Sequence, residues 1–205
     1  MLLHEYEARE KRRKFMRTAT IIAVIFTALV TAHVVNIVRS ENIRQMYIHS
    51  IVSNLHNLEV VLFGFYHNIE DGQNPFEAPR WSTFDHLTQS IDSDIRRLAM
   101  HRNVRSEPIG MSRTLRFHLT TLLIDEANNG QPEAAQEFIS RRSEELRELI
   151  SDLSIESEEE RHGEIVSITK ANTNMTTRQI FNRINTFTQC VDDEQRDHHH
   201  RQHRN

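Results

Sequence analysis

An all-α fold is predicted for this 205-residue chain: an N-terminal transmembrane helix that continues into an antiparallel four- to five-helix extracytoplasmic bundle. Three observations predict it. Residues 18–38 (TATIIAVIFTALVTAHVVNIV) form an apolar run without Asp, Glu, Lys or Arg. Large apolar residues then recur at steps of three and four, the spacing of one helix face. Gly and Pro are sparse, 5 and 4 residues, which disfavours a turn-rich β protein.

The apolar run has the length of a bilayer's hydrocarbon core, which takes about 20 helical residues. Lys11, Arg12, Arg13, Lys14 and Arg17 precede it, and Arg39, Glu41 and Arg44 follow. Dense positive charge beside a membrane segment stays in the cytoplasm. Residues 1–17 are therefore expected as a basic cytoplasmic leader and 18–38 as the anchor in membrane lipid. Two other readings compete. One is a core helix of a soluble protein, which rarely combines so long an apolar run with a basic cluster. The other is a cleaved signal peptide, for which Val30-Thr31-Ala32 has the small-residue look of a cleavage site. The long leader and the continuation to Val38 favour an uncleaved anchor. Thr20, Thr27 and Thr31 can return their hydroxyls to the helix backbone, which makes them cheap in lipid. His33 and Asn36 lie near the outer end, within reach of interfacial water.

Charge divides the chain at the same place. Residues 1–39 carry 7 Lys/Arg and 3 Asp/Glu, a net of +4, and the remainder carries 18 and 26, a net of −8. An acidic outer domain repels phosphates, so no nucleic acid is expected as a partner. Cys190 is the single cysteine, which excludes an intramolecular disulfide. Residues 39–192 are long enough for one domain held together by burial. Asn174-Met175-Thr176 fits the N-glycosylation pattern, which matters only in a eukaryotic secretory pathway.

The first helix is expected to run unbroken from the anchor, rising about 40 Å beyond it. Ile43, Tyr47, Ile51, Leu55, Leu58, Leu62, Phe65 and Ile69 form its stripe, and Asp71-Gly72-Gln73-Asn74-Pro75 stops it. A second helix opens near Ser82 as N-cap with Asp85 three residues on, and turns Phe84, Leu87, Ile91, Ile95 and Leu98 inward. A loop over 103–110 precedes a third helix from Ser112, with Leu115, Leu119, Leu122 and Leu123 inward and Asn128-Asn129-Gly130 as its stop. Pro132 sits in the first turn of a fourth helix whose buried face is Ile139, Leu146, Leu149, Ile150 and Leu153. The acidic stretch 154–163 reads as a frayed end or connection. A fifth helix is expected from Glu164 to Val191, with a slip in its period between Met175 and Ile180. No strand is expected. Residues 193–205 (DEQRDHHHRQHRN) lack an apolar anchor and are expected as a disordered His-rich tail.

Candidate sites are few. His198, His199, His200 and His203 could bind Zn, Ni or Cu, but a flexible cluster lacks the geometry of a selective site, so adventitious binding is expected. His49 and His56 share a helix face, and His56/Glu59 and Glu159/His162 are one turn apart. A carboxylate-bridged di-metal bundle needs paired Glu-x-x-His motifs, and this chain has one. Arg96-Arg97, Arg102/Arg105, Arg113/Arg116 and Arg141-Arg142 could clamp small anions or pair with surface carboxylates, the latter being the commoner use. No nucleophile elbow, Walker loop or His-Glu-x-x-His is present, so no catalytic residue and no cofactor are expected. The pattern points to a membrane-anchored protein that acts by contact, as an envelope sensor, scaffold or regulatory accessory factor, with a membrane or envelope protein or a second copy as partner. The alternative is an extracytoplasmic metal- or small-anion-binding protein that uses the His-rich tail or the Arg faces.

Overall fold

The computed structural model describes residues 2–71, 80–104, 110–129, 133–161 and 164–202. The order of elements is α1 (Leu2–Glu70), α2 (Arg80–Arg102), α3 (Met111–Asn129), α4 (Glu133–Leu153), β1 (Ser154–Arg161), β2 (Glu164–Ala171) and α5 (Thr177–Gln202). The chain divides into two units, Met1–Ile43 and Arg44–Asn205, and α1 contributes to both.

In the first unit the only described element is α1. It is long and apolar enough to cross a membrane, and its most apolar window is not buried at all. The hydroxyls of Thr20, Thr27 and Thr31 donate to the carbonyls of Met16, Ala23 and Thr27, at 2.9, 2.9 and 2.8 Å, as their place in an apolar helix requires.

The second unit is built on one hydrophobic core. The α1 stripe supplies Ile51, Leu55, Leu58, Leu62, Phe65 and Ile69, joined by Ile48 and Val52. Ile43 and Tyr47, expected in the same stripe, are half-buried. All five stripe residues of α2 are buried, as are all five of α4. Leu115 and Leu119 of α3 are buried; the side chains of Leu122 and Leu123 lie outside the described residues.

Local chemistry sets the helix ends. α2 starts at Arg80, two residues before the expected Ser82, and the Arg80 guanidinium donates to the Gly64 carbonyl at 2.9 Å and to Asn68 Oδ1, joining the new helix to the end of α1. α2 stops where Asn103 enters the left-handed region at φ 51°. Val104 N then donates to Ala99 O and Asn103 N to Met100 O, the paired bonds of a Schellman end. α3 takes its cap from another helix: Met111 N donates to Asp92 Oδ1 at 2.7 Å.

Residues 154–191 differ most from expectation. The fold is not all helical, for β1 and β2 form an antiparallel hairpin with Ser154 opposite Ala171 and Arg161 opposite Glu164. Glu156, Glu159 and Glu160 would stand three and four apart on a helix, where like charges repel. Ile165, Val166, Ile168 and Thr169 are β-branched and suit a pleated backbone. The fifth helix begins thirteen residues later than expected, at Thr177 rather than Glu164. Its start is a capping box. Thr176 Oγ1 accepts from Gln179 N at 3.3 Å, and Gln179 Oε1 accepts from Thr176 N at 2.8 Å. The apparent slip between Met175 and Ile180 is thus the boundary between two elements. α5 runs on to Gln202, through residues 193–202 that composition assigns to a disordered tail; Glu194, Gln195, Arg196, Arg201 and Gln202 are good helix formers.

Candidate functional site

The anchor candidate is the most distinctive surface of the first unit. Ile21, Ile22, Val24, Ile25, Phe26, Leu29, Val30, Val34, Val35, Ile37 and Val38 are all exposed large hydrophobics, with Phe26 at 66% and Leu29 at 65%. Soluble proteins rarely expose contiguous apolar patches of more than a few hundred Å². His33 and Asn36, the polar residues towards the C-terminal end of the run, are exposed as well.

In the second unit, polar side chains join elements distant in sequence. Arg44 donates to the carbonyls of Thr173 at 2.5 Å and Met175 at 2.7 Å. Those two carbonyls belong to the short link between β2 and α5, so one guanidinium holds the approach to the capping box. Ser50 Oγ donates to Asp94 Oδ2 at 2.6 Å, and Asn54 Nδ2 to Ser90 Oγ at 3.2 Å, which ties α1 to α2. Asp94 is 6% exposed and also lies 3.8 Å from the Arg97 guanidinium. The Arg147 guanidinium donates to Glu59 across 88 residues of sequence.

Among the described residues the most buried charged group is Arg142 on α4, at 2% exposure. Its guanidinium lies 5.6 Å from the centre of the Phe138 ring and 2.5 Å from Glu145 Oε2. The other neighbour of Phe138 is His118 of α3, whose ring is nearly parallel at 20° and 5.9 Å away. His118 is itself 6% exposed. The Phe138 ring therefore contacts both an imidazole and a guanidinium. This suits a buried cation: the ring face attracts it, and the carboxylate one turn along neutralises it.

Among the described residues, three exposed arginines of the eight in those patches meet carboxylates. Arg97 meets Asp94, Arg116 meets Asp85 at 3.2 Å and Arg141 meets Glu137 at 2.9 Å. Asp85 is thereby engaged by α3, not by the expected Ser82 cap. Arg142 departs from the expectation of a surface position, because an i, i+4 step from Phe138 carries it inward. Arg105 lies outside the described residues.

The metal candidates of the tail lie outside the described residues or have side chains that do. His203 and His162 lie outside the described residues, and the side chains of His198, His199, His200 and Glu159 likewise. Glu59, one turn from His56, accepts from Arg147 instead. Among the described residues no group of three or more His, Cys, Asp or Glu side chains could hold a metal ion. Asn174 of the glycosylation tripeptide is exposed, and its Thr176 hydroxyl serves the cap of α5.

Sequence reasoning missed the capping box and the buried Arg142, though both left a signal. Thr-Thr-Arg-Gln before Ile180 is a capping-box pattern, and Phe138, Arg142 and Glu145 share a helix face at steps of four and three. No protein-family model, curated protein or solved structure matches this chain.

Proposed function

We propose that the chain is a single-pass membrane protein. Its basic leader lies in the cytoplasm, and residues 39–192 form an extracytoplasmic helical bundle that acts by protein contact, as an envelope sensor, scaffold or regulatory accessory factor. One observation carries the anchor: the run 18–38 leaves its large apolar side chains exposed, while the same helix from Ile48 to Ile69 buries its stripe in a core. At about −0.3 to −0.6 kcal/mol for each Leu, Ile, Phe or Val at the centre of a membrane helix, eleven such residues favour insertion by roughly 3–6 kcal/mol, more than His33 and Asn36 at the rim would oppose. The leader's six Lys and Arg residues before Thr18 support the orientation. Action by contact is supported by the bracing of the outer unit, where Arg44, Ser50, Asn54 and Arg147 of α1 and α4 reach other elements and hold a fixed surface.

The test is alkaline carbonate extraction of membranes carrying the full chain, followed by protease digestion of sealed right-side-out vesicles. Retention in the carbonate pellet and loss of a C-terminal epitope to external protease are the expected results. Release into the supernatant would remove the anchor, and a protected C-terminal epitope would reverse the orientation.

A further inference from the structure

Helix α1 has a second face. Met46, His49, Ser53, His56, Val60, Phe63 and His67 follow one another at alternating steps of three and four, a strict heptad seam. All are exposed except His56, which is half-buried. Met46, Val60 and Phe63 are 55, 69 and 59% exposed. The buried stripe of the same helix, Ile48, Ile51, Leu55, Leu58, Leu62, Phe65 and Ile69, also alternates three and four and occupies the other side.

A solvent-facing helix surface normally carries charge. Across the chain 26% of residues are Asp, Glu, Lys or Arg, so residues 45–69 would be expected to hold about six. They hold one, Glu59, and it is turned to Arg147 of α4. The outward face is thus free of formal charge over about 33 Å of helix at 1.5 Å per residue.

We infer that this face is the seam along which a second copy of the chain docks, in parallel and in register. The argument for that occupant is threefold. A parallel heptad pair places each seam residue against its own copy, so Met46, Val60 and Phe63 meet apolar partners and His49, Ser53 and His56 meet polar ones, which fixes register. The outer part of the chain carries a net −8, and an uncharged strip is where two such domains approach with least repulsion. The area also fits a tethered partner. A strip about 33 Å by 10 Å removes roughly 700 Å² from the two copies together, less than the ~1,600 Å² of a free-standing specific interface. A shared membrane supplies the missing stability by raising effective concentration and aligning the two helices. In this respect alone the inference rests on the anchor reading.

The experiment uses membranes containing the full chain with Cys190→Ser, carrying Ser53→Cys, Val60→Cys or, as an exposed control on α2, Gln89→Cys. A disulfide forms only where Cα atoms come within about 7 Å. Mild oxidation with copper phenanthroline should shift both seam variants to dimer mobility on non-reducing gels and leave Gln89→Cys monomeric. Adding Phe63→Glu to Ser53→Cys should abolish the dimer band. The inference is overturned by any of four results: seam cysteines that stay monomeric while still labelled by a maleimide; equal dimer from Gln89→Cys; a band that persists with Phe63→Glu; or crosslinking to a different protein. Carbonate extraction of the same membranes separates the two readings, since a retained but uncrosslinked chain loses the seam and keeps the anchor.

Discussion

Leu58 offers the sharpest test of the core. It is fully buried on α1, midway along the inward stripe, and Asn57 beside it is exposed. Replacing Leu58 by alanine removes three carbons from the interior, about 2.4 kcal/mol at ~0.8 kcal/mol per buried CH₂. A residual cavity of a few tens of Å³ adds about 1 kcal/mol at ~24 cal/mol per Å³. The loss is therefore about 3 kcal/mol. For a domain of roughly 160 residues each kcal/mol moves the midpoint by ~2–4 °C, so Leu58→Ala should lower Tm by about 6–12 °C. Leu58→Asp should lower it further, because a carboxylate placed there has no partner. Asn57→Asp, a change on the exposed side, should stay within about 0.5 kcal/mol of the parent. The assay is a far-ultraviolet circular-dichroism melt of the full chain in detergent micelles. A Leu58→Ala midpoint no lower than that of Asn57→Asp would refute the inward stripe and the core drawn around it.

Two further outcomes test the joints and the buried cation. Thr176→Ala should cost about 1 kcal/mol and speed amide exchange at residues 177–180, whereas Thr176→Ser should keep both near parental values. Arg142→Ala should lower the melting midpoint severalfold more than Arg147→Ala. The first removes a 2%-exposed guanidinium packed on Phe138, and the second a 69%-exposed partner of Glu59, a kind of pair worth at most about 1 kcal/mol; equal midpoints would count against the buried cluster.

The helices were legible where one signal dominated. In α2 and α4 every side chain named by the apolar spacing is buried, and in α1 six of eight are, because a 3.6-residue backbone turns i, i+3 and i+4 to one side and nothing local opposes it. The expectation failed at 154–176, where two local signals conflict. Glu is a good helix former, yet closely spaced glutamates repel along a helix and Ile165, Val166, Ile168 and Thr169 favour a strand. Ile165 and Ile168 are also three apart, so they fit the helical template by spacing alone. Pairing of these two adjacent segments with each other decided the matter, and the spacing of apolar residues within either segment alone does not report it.

The candidate sites divide in the same way. The anchor candidate could be read directly, since an apolar run has its length and composition wherever the chain folds. The polar contacts could not. That Asp92 would cap α3, that Arg44 would hold the carbonyls of Thr173 and Met175, and that the Arg142 side of α4 would be buried are consequences of which elements become neighbours. The amino-acid order by itself determined the long apolar N-terminal helix, the asymmetry of charge on its two sides and the inward faces of three helices. Only the three-dimensional structure decided the hairpin, the cap of α3 and the contacts that tie α1 to α2, α4 and the approach to α5. Spacing along a chain governs what a helix face contains, but a hydrogen bond or ion pair needs two groups brought within about 3–4 Å, and packing alone brings them there.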